Sequence, residues 1–121
     1  MKVQTTRKSG FTLVEIMIVV AIIGLLAAIA IPNFVKARAT AQKNSCIANL
    51  KQIDGAVQQW ALENKKVATD TYALTDTTLL AYLKGSVLPG GGTCPGGGSY
   101  SAGATVSGTP TCSLSGSGHT L

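Results

Sequence analysis

The sequence predicts an α+β chain in which one long, kinked N-terminal helix, membrane span in its first half and amphipathic in its second, packs against a small antiparallel glycine-rich sheet. Three observations carry this. Residues 11–31 are apolar apart from Thr12 and Glu15, residues 33–66 are helix-favouring with apolar side chains at helical spacing, and eleven of the 14 glycines lie from Gly85 onward. With 121 residues there is room for one small core, which excludes a large enzyme. The 45% hydrophobic content against 12% charged excludes disorder throughout and suits a chain with a lipid-bound segment.

Residues 1–10 carry Lys2, Arg7 and Lys8, no acid, and end at Gly10, as expected of a leader peptide removed on maturation. Residues 11–31, as a helix rising 1.5 Å per residue, extend roughly 30 Å, the thickness of a bilayer's hydrocarbon core. Residues 32–66 form the amphipathic half, with Ile47, Leu50, Ile53, Val57 and Trp60 spaced by three, three, four and three. Pro32 removes a backbone donor and bends a helix, yet no Gly/Ser cluster surrounds it, so one continuous kinked helix over 11–64, roughly 80 Å long, is expected. Residues 67–121 are the small C-terminal loop and sheet region. It opens with a Thr/Asp-rich loop, then a helical turn over the LLAYL run capped by Asp or Thr. Two or three short strands follow, 98–106 and 111–114 being the best candidates. Such a sheet is too thin to fold alone and needs the helix's apolar stripe as its other layer.

The net charge of +5 points first to an anionic partner. Removing the leader leaves seven Lys and Arg against five Asp and Glu, a side-chain balance of +2. The basic excess therefore belongs mostly to targeting; Lys36, Arg38 and Lys43 read as a solvated helix face, and no specific nucleic acid is expected as a partner. No nucleophile and base stand at catalytic spacing, and the glycine runs at 90–92 and 96–98 lack the Gly-Lys-Ser/Thr of a phosphate loop, so no enzyme activity and no cofactor are expected. Three cysteines and a distant His119, near a terminus expected to be mobile, lack the paired spacing of a zinc site. Asp70 and Asp76 are weak calcium candidates without the ligand spacing of a calcium loop.

Glu15 is the most informative residue. A charged group at the bilayer centre costs about 2.5 to 3.5 kcal/mol, and no Lys or Arg within the span can pair with it, so its partner is expected from elsewhere. A cut after Gly10 would create an amine on Phe11 one helical turn away, and neighbouring copies could pair crosswise. The run Ser9-Gly10-Phe11-Thr12-Leu13-Val14-Glu15 resembles the processing site of type IV prepilins and of type II secretion pseudopilins. That resemblance implies a type IV pilin-like fold, peptidase cleavage after Gly10, N-methylation of Phe11, and pairing of Glu15 with a neighbouring subunit's Phe11 during assembly. It also matches Gly24 and Pro32 to places where pilin helices bend or locally melt, and Asp70 and Asp76 to a loop where major pseudopilins bind calcium.

The same resemblance implies a structural subunit that polymerises through its N-terminal helix into a type IV pilus-like extracellular filament or, alternatively, serves as the major pseudopilin of a type II secretion system. The implied partners are further copies in a helical filament, a prepilin peptidase, and an inner-membrane assembly platform with its ATPase. The precursor would sit in the bacterial inner membrane, and the assembled subunit in a surface filament or periplasmic pseudopilus. The tail, with Thr93-Cys94-Pro95, Pro110-Thr111-Cys112-Ser113 and Gly118-His119, resembles the ends of small bacterial pilin-like proteins with short sheets. Two rivals remain. Ala28-Ile29-Ala30 has the form of a signal-peptidase site and would give a mature chain starting at Ile31, against which Glu15 and Pro32 count. A monomeric membrane-anchored binding domain would use the span only as an anchor, and an anchor has no use for Glu15.

Positive charges before and after the span are tied, with Lys2, Arg7 and Lys8 facing Lys36, Arg38 and Lys43. The cysteines break the tie. Cys94 and Cys112 lie where there is little core, and a bridge closing about 15 residues stabilises by roughly 3 kcal/mol in the chain-entropy model. This favours a C-terminal region outside the cytoplasm. Cys94 with Cys112 is the preferred pair, but a hairpin turning near Gly108 would set Cys112 opposite Ala104, which keeps Cys46 as a competitor for either partner.

Overall fold

The computed structural model describes residues 1–4 and 8–121, so Arg7 of the leader lies outside the described residues. The chain divides into two compact units, Met1–Lys36 and Ala37–Leu121. Helix α1, Leu13–Glu63, begins in the first and ends in the second, and Pro32 lies inside it without ending it.

Among the described residues of Met1–Lys36 none is buried. The large apolar side chains from Phe11 to Val35 are all at least half exposed, from 50% at Ile16 to 87% at Phe11. A helix apolar around its whole circumference is stable in lipid or inside a bundle of other helices, not in water. Among the described residues α1 is the one helix long and apolar enough to cross a membrane.

The unit Ala37–Leu121 is built differently. Here α1 buries Cys46, Leu50, Ile53, Val57 and Trp60, spaced by four, three, four and three. Ile47, expected to open this stripe, is only half-buried. It stands about 100° around the helix from Cys46, and the stripe centres on Cys46 instead. The helix stops at Lys65, which takes a left-handed φ of 53°, while the Lys66 N–H returns to the Ala61 carbonyl at 2.8 Å. Asp76 caps the short helix α2, Thr77–Leu80, by accepting from the Thr78 N–H at 2.9 Å. The Thr78 hydroxyl in turn accepts from Trp60 Nε1 at 2.9 Å, tying α2 to α1.

The sheet has two strands, β1 (Tyr100–Ser101) and β2 (Thr111–Cys112), antiparallel, with Tyr100 opposite Cys112 and a separate bridge between Thr93 and Ser99. Both strands are much shorter than expected, and Tyr100, not Ala104, faces Cys112. The Val106 and Ser107 N–H groups explain why. They donate to Asp70 O at 2.8 Å and Ala68 O at 3.1 Å, so the backbone donors of a continuing ladder are already committed to the loop after α1. Gly103 also lies so close to the backbone of Gly108 and Thr109 that no side chain fits there. Tyr100 and Cys112 point inward with Cys94 and Val106 onto the α1 stripe, while Asn49 Nδ2 donates to Tyr100 Oη and Gln58 Nε2 to Val106 O, each at 2.9 Å. The result is an α+β fold in which a small antiparallel sheet packs on one helix, as in type IV pilins.

Candidate processing and assembly site

The head of α1 is fixed by its own sequence. Thr12, immediately before the helix, and Glu15, three residues on, form a capping box: the Glu15 N–H donates to Thr12 Oγ1 at 3.3 Å and the Thr12 N–H donates to Glu15 Oε2 at 2.7 Å. The carboxylate thus sits at the positive end of the helix dipole, a favourable place for a negative charge. Apart from the charged partner expected from elsewhere, the carboxylate already has a backbone donor of the same chain. The Thr-x-x-Glu spacing is the local signal for it.

Ser9, Gly10, Phe11 and Glu15 line one recess of about 320 Å³, so the Gly10–Phe11 bond and the carboxylate are neighbours. A side chain at Gly10 would meet nothing within 4 Å, and the same is true at Gly24. Neither glycine is required by packing within the chain. Gly24 lies in the interior of α1, where glycine costs about 1 kcal/mol relative to alanine, and Pro32 removes a helix donor further along.

Asp70 and Asp76 are each occupied locally. Asp70 Oδ2 accepts from the Val67 N–H at 2.9 Å, and Asp76 holds Thr78, whose hydroxyl and N–H both keep the Asp76 carboxyl below its usual range. The structure does not bring them into a group with other ligands among the described residues.

The cysteines behave otherwise. Cys46, Cys94 and Cys112 are all buried as thiols, and His119 is buried with them at 8% exposure, not loose at a terminus. Their four ligand atoms lie within 4.8 Å of one another. The sequence argument from spacing does not reach this cluster, because α1 supplies one residue and the turn at Cys94, strand β2 and the turn at Gly118 supply the others, and spacing along the chain does not register that.

Residues 5–31 match the family described as the prokaryotic N-terminal methylation motif. Over 60 residues, 50% of this chain, the sequence is 50% identical to the type IV major pilin protein PilA of Myxococcus xanthus, covering 27% of that protein. It is 34% identical over 68 residues to the type II secretion system core protein G of Klebsiella pneumoniae, covering 56% of this chain and 49% of the other. A fimbrial protein of Pseudomonas aeruginosa is 34% identical over 85 residues, 70% of this chain and 55% of its own. These matches span between a quarter and a little over half of the relatives' lengths, and the relatives are named as pilin, fimbrial and secretion-system proteins, not as enzymes. No solved structure matches the chain. With an exposed apolar half-helix behind its head and a small sheet on the other half, the chain carries the prokaryotic N-terminal methylation motif and is similar, over half or more of its length, to type IV pilins and type II secretion core proteins G.

Proposed function

We propose that this chain is a non-catalytic structural subunit that polymerises through α1 into a type IV pilus-like filament. A prepilin peptidase cuts after Gly10, Phe11 becomes the methylated N-terminus, and residues 11–31 pass from the inner membrane into the filament centre with the glycine-rich region outside. The observation that carries this is the pairing of an apolar half-helix, its large side chains at least half exposed, with a carboxylate at its head. Lipid and filament interior are both apolar, so burial alone gives little preference between them and something polar must bias the transfer. Glu15 does so. In the precursor it is held by the Thr12 N–H, and once Phe11 carries a free amine, a neighbour's ammonium offers a stronger partner, with desolvation limiting the net gain. Gly24, which packing within the chain does not require, and Pro32 are where the helix bends or melts on assembly.

The likeness to secretion core protein G supports a second reading, the major pseudopilin of a type II secretion system, in which the same assembly stays in the periplasm. Sequencing the mature N-terminus in sheared surface material and in the periplasm tests both. Chains starting at Phe11 in surface filaments support the pilin, and Phe11 chains confined to the periplasm support the pseudopilin. Chains starting at Ile31 overturn the processing scheme.

A further inference from the structure

The four buried ligand residues are supported by the backbone around them. Cys94 opens a tight turn in which the Gly97 N–H returns to the Cys94 carbonyl at 2.8 Å and the Cys94 N–H donates to Gly98 O at 2.7 Å. That turn aims the Gly96 N–H at Cys94 Sγ, 3.3 Å away. The second sulfur repeats the arrangement, with the Leu114 N–H 3.5 Å from Cys112 Sγ. Both donors sit two residues after their cysteine and point at its sulfur. His119 is brought back by the turn after β2, through its N–H to Leu114 O at 3.4 Å and a left-handed Gly118 at φ 84°. Its Nδ1 lies 3.3 Å from Cys94 Sγ.

Glycine is needed where the chain crosses this cluster. A side chain at Gly98 would stand 3.0 Å from Cys112 Sγ and 2.7 Å from Ser113 Oγ, and one at Gly96 would stand 3.0 Å from the His119 ring and 3.6 Å from Cys94 Sγ. These glycines let the backbone close over the sulfurs, a use of the run that turn propensity alone does not explain.

We infer that Cys46, Cys94, Cys112 and His119 together bind one zinc ion that staples the glycine-rich region to α1. Three sulfurs and one imidazole nitrogen are a tetrahedral zinc donor set, and four protein ligands leave no open position, which makes the site structural and not catalytic. Ligand atoms about 2.3 Å (sulfur) and about 2.0 Å (nitrogen) from a shared ion stand within 4 Å of one another in a tetrahedron, so the present cluster needs little contraction. A disulfide between any two of the sulfurs would leave the third and the imidazole nitrogen without a partner of comparable strength, whereas one ion satisfies all four.

On binding, three Zn–S bonds and one Zn–N bond form while three thiol protons pass to solvent, giving a centre of net charge −1. Lys43 is placed to offset that charge, its side chain lying across Gly118, beside the ligand-bearing His119. A two-stranded sheet of four residues cannot hold itself together, and a metal is one of the few devices by which so small a region gains stability.

The test uses the full chain extracted in detergent from cells grown with zinc, with metal content read by mass spectrometry and thiols mapped without reduction. About one zinc per chain and no disulfide are expected. Exchange of zinc for cobalt(II) should give the intense red absorption and sulfur charge-transfer bands of a tetrahedral thiolate site, a readout that needs no variant. His119→Ala and Cys112→Ser should each lower zinc retention against a chelator by at least about tenfold. A zinc-free chain carrying a disulfide among these cysteines overturns the proposal, as does an octahedral cobalt spectrum or unchanged retention in both variants.

Discussion

The two halves of α1 obey the same backbone geometry and end in opposite situations. From Leu13 to Val35 the helix exposes every large apolar side chain, whereas from Cys46 to Ala61 it buries a narrow stripe under the chain's own tail. What differs is the angular distribution of apolar residues. A stripe about one face wide can be covered by a small sheet from the same chain, but apolar residues on all sides need a surrounding medium or several neighbours. The first half therefore needs an apolar medium or other helices around it, and the second is covered by its own fold.

Processing gives the largest expected separation of the two. Gly10→Val should leave the protein full-length in the membrane and abolish filaments, while the folding of Ala37–Leu121 is untouched, because a side chain at Gly10 meets nothing within the chain. Normal-sized mature product from this variant would refute the cleavage scheme.

A matched pair of truncations comes next. Leu50 is fully buried in the core cluster, and Leu50→Ala should lower the unfolding free energy of the C-terminal region by about 3 kcal/mol. Leu25→Ala, on the exposed half, should leave that unfolding unchanged and act on filament yield alone. Equal effects of both on thermal unfolding in detergent would erase the distinction between the halves.

How much of this was legible in the sequence follows the same division. The length of α1, the apolar span and the α2 cap are local signals, and Leu13–Glu63 and Asp76 express them with little tertiary interference. The stripe was displaced by one position, from Ile47 to Cys46, because a cysteine's burial depends on what its sulfur meets, which local hydropathy does not report. Strand lengths failed for a tertiary reason: the loop at Ala68 and Asp70 claims the donors of Val106 and Ser107. The sulfur and imidazole cluster was invisible for the same cause, since α1, strand β2 and two tail turns converge only once the fold exists. Glu15 was readable as a site from its chemistry, but its bond to the Thr12 N–H required attention to helix capping, not to membrane cost.

The smallest expected effect concerns pH. The Thr78 hydroxyl and N–H hold the folded Asp76 carboxyl below its ordinary 3.8, so its contribution is present above that value and is lost as pH falls through the lower, folded one. Asp76→Asn, which keeps an acceptor for the cap without a titrating group, should lower neutral stability slightly and flatten the acid limb of thermal stability below about pH 4, so that the two chains converge there. An acid limb identical to the unsubstituted chain's would remove Asp76 from the account.

The central claim is that the charge of Glu15 drives subunits from lipid into the filament, and counting filaments against membrane-held mature subunit measures it. Glu15→Gln keeps the capping geometry and removes the charge, Glu15→Ala removes both, and Glu15→Asp keeps the charge with a shorter reach. The account predicts normal insertion and cleavage in all three, filament numbers at least about tenfold lower for Gln and Ala, and an intermediate number for Asp. Unreduced filament numbers from Glu15→Gln and Glu15→Ala would contradict it and leave the span as a simple anchor.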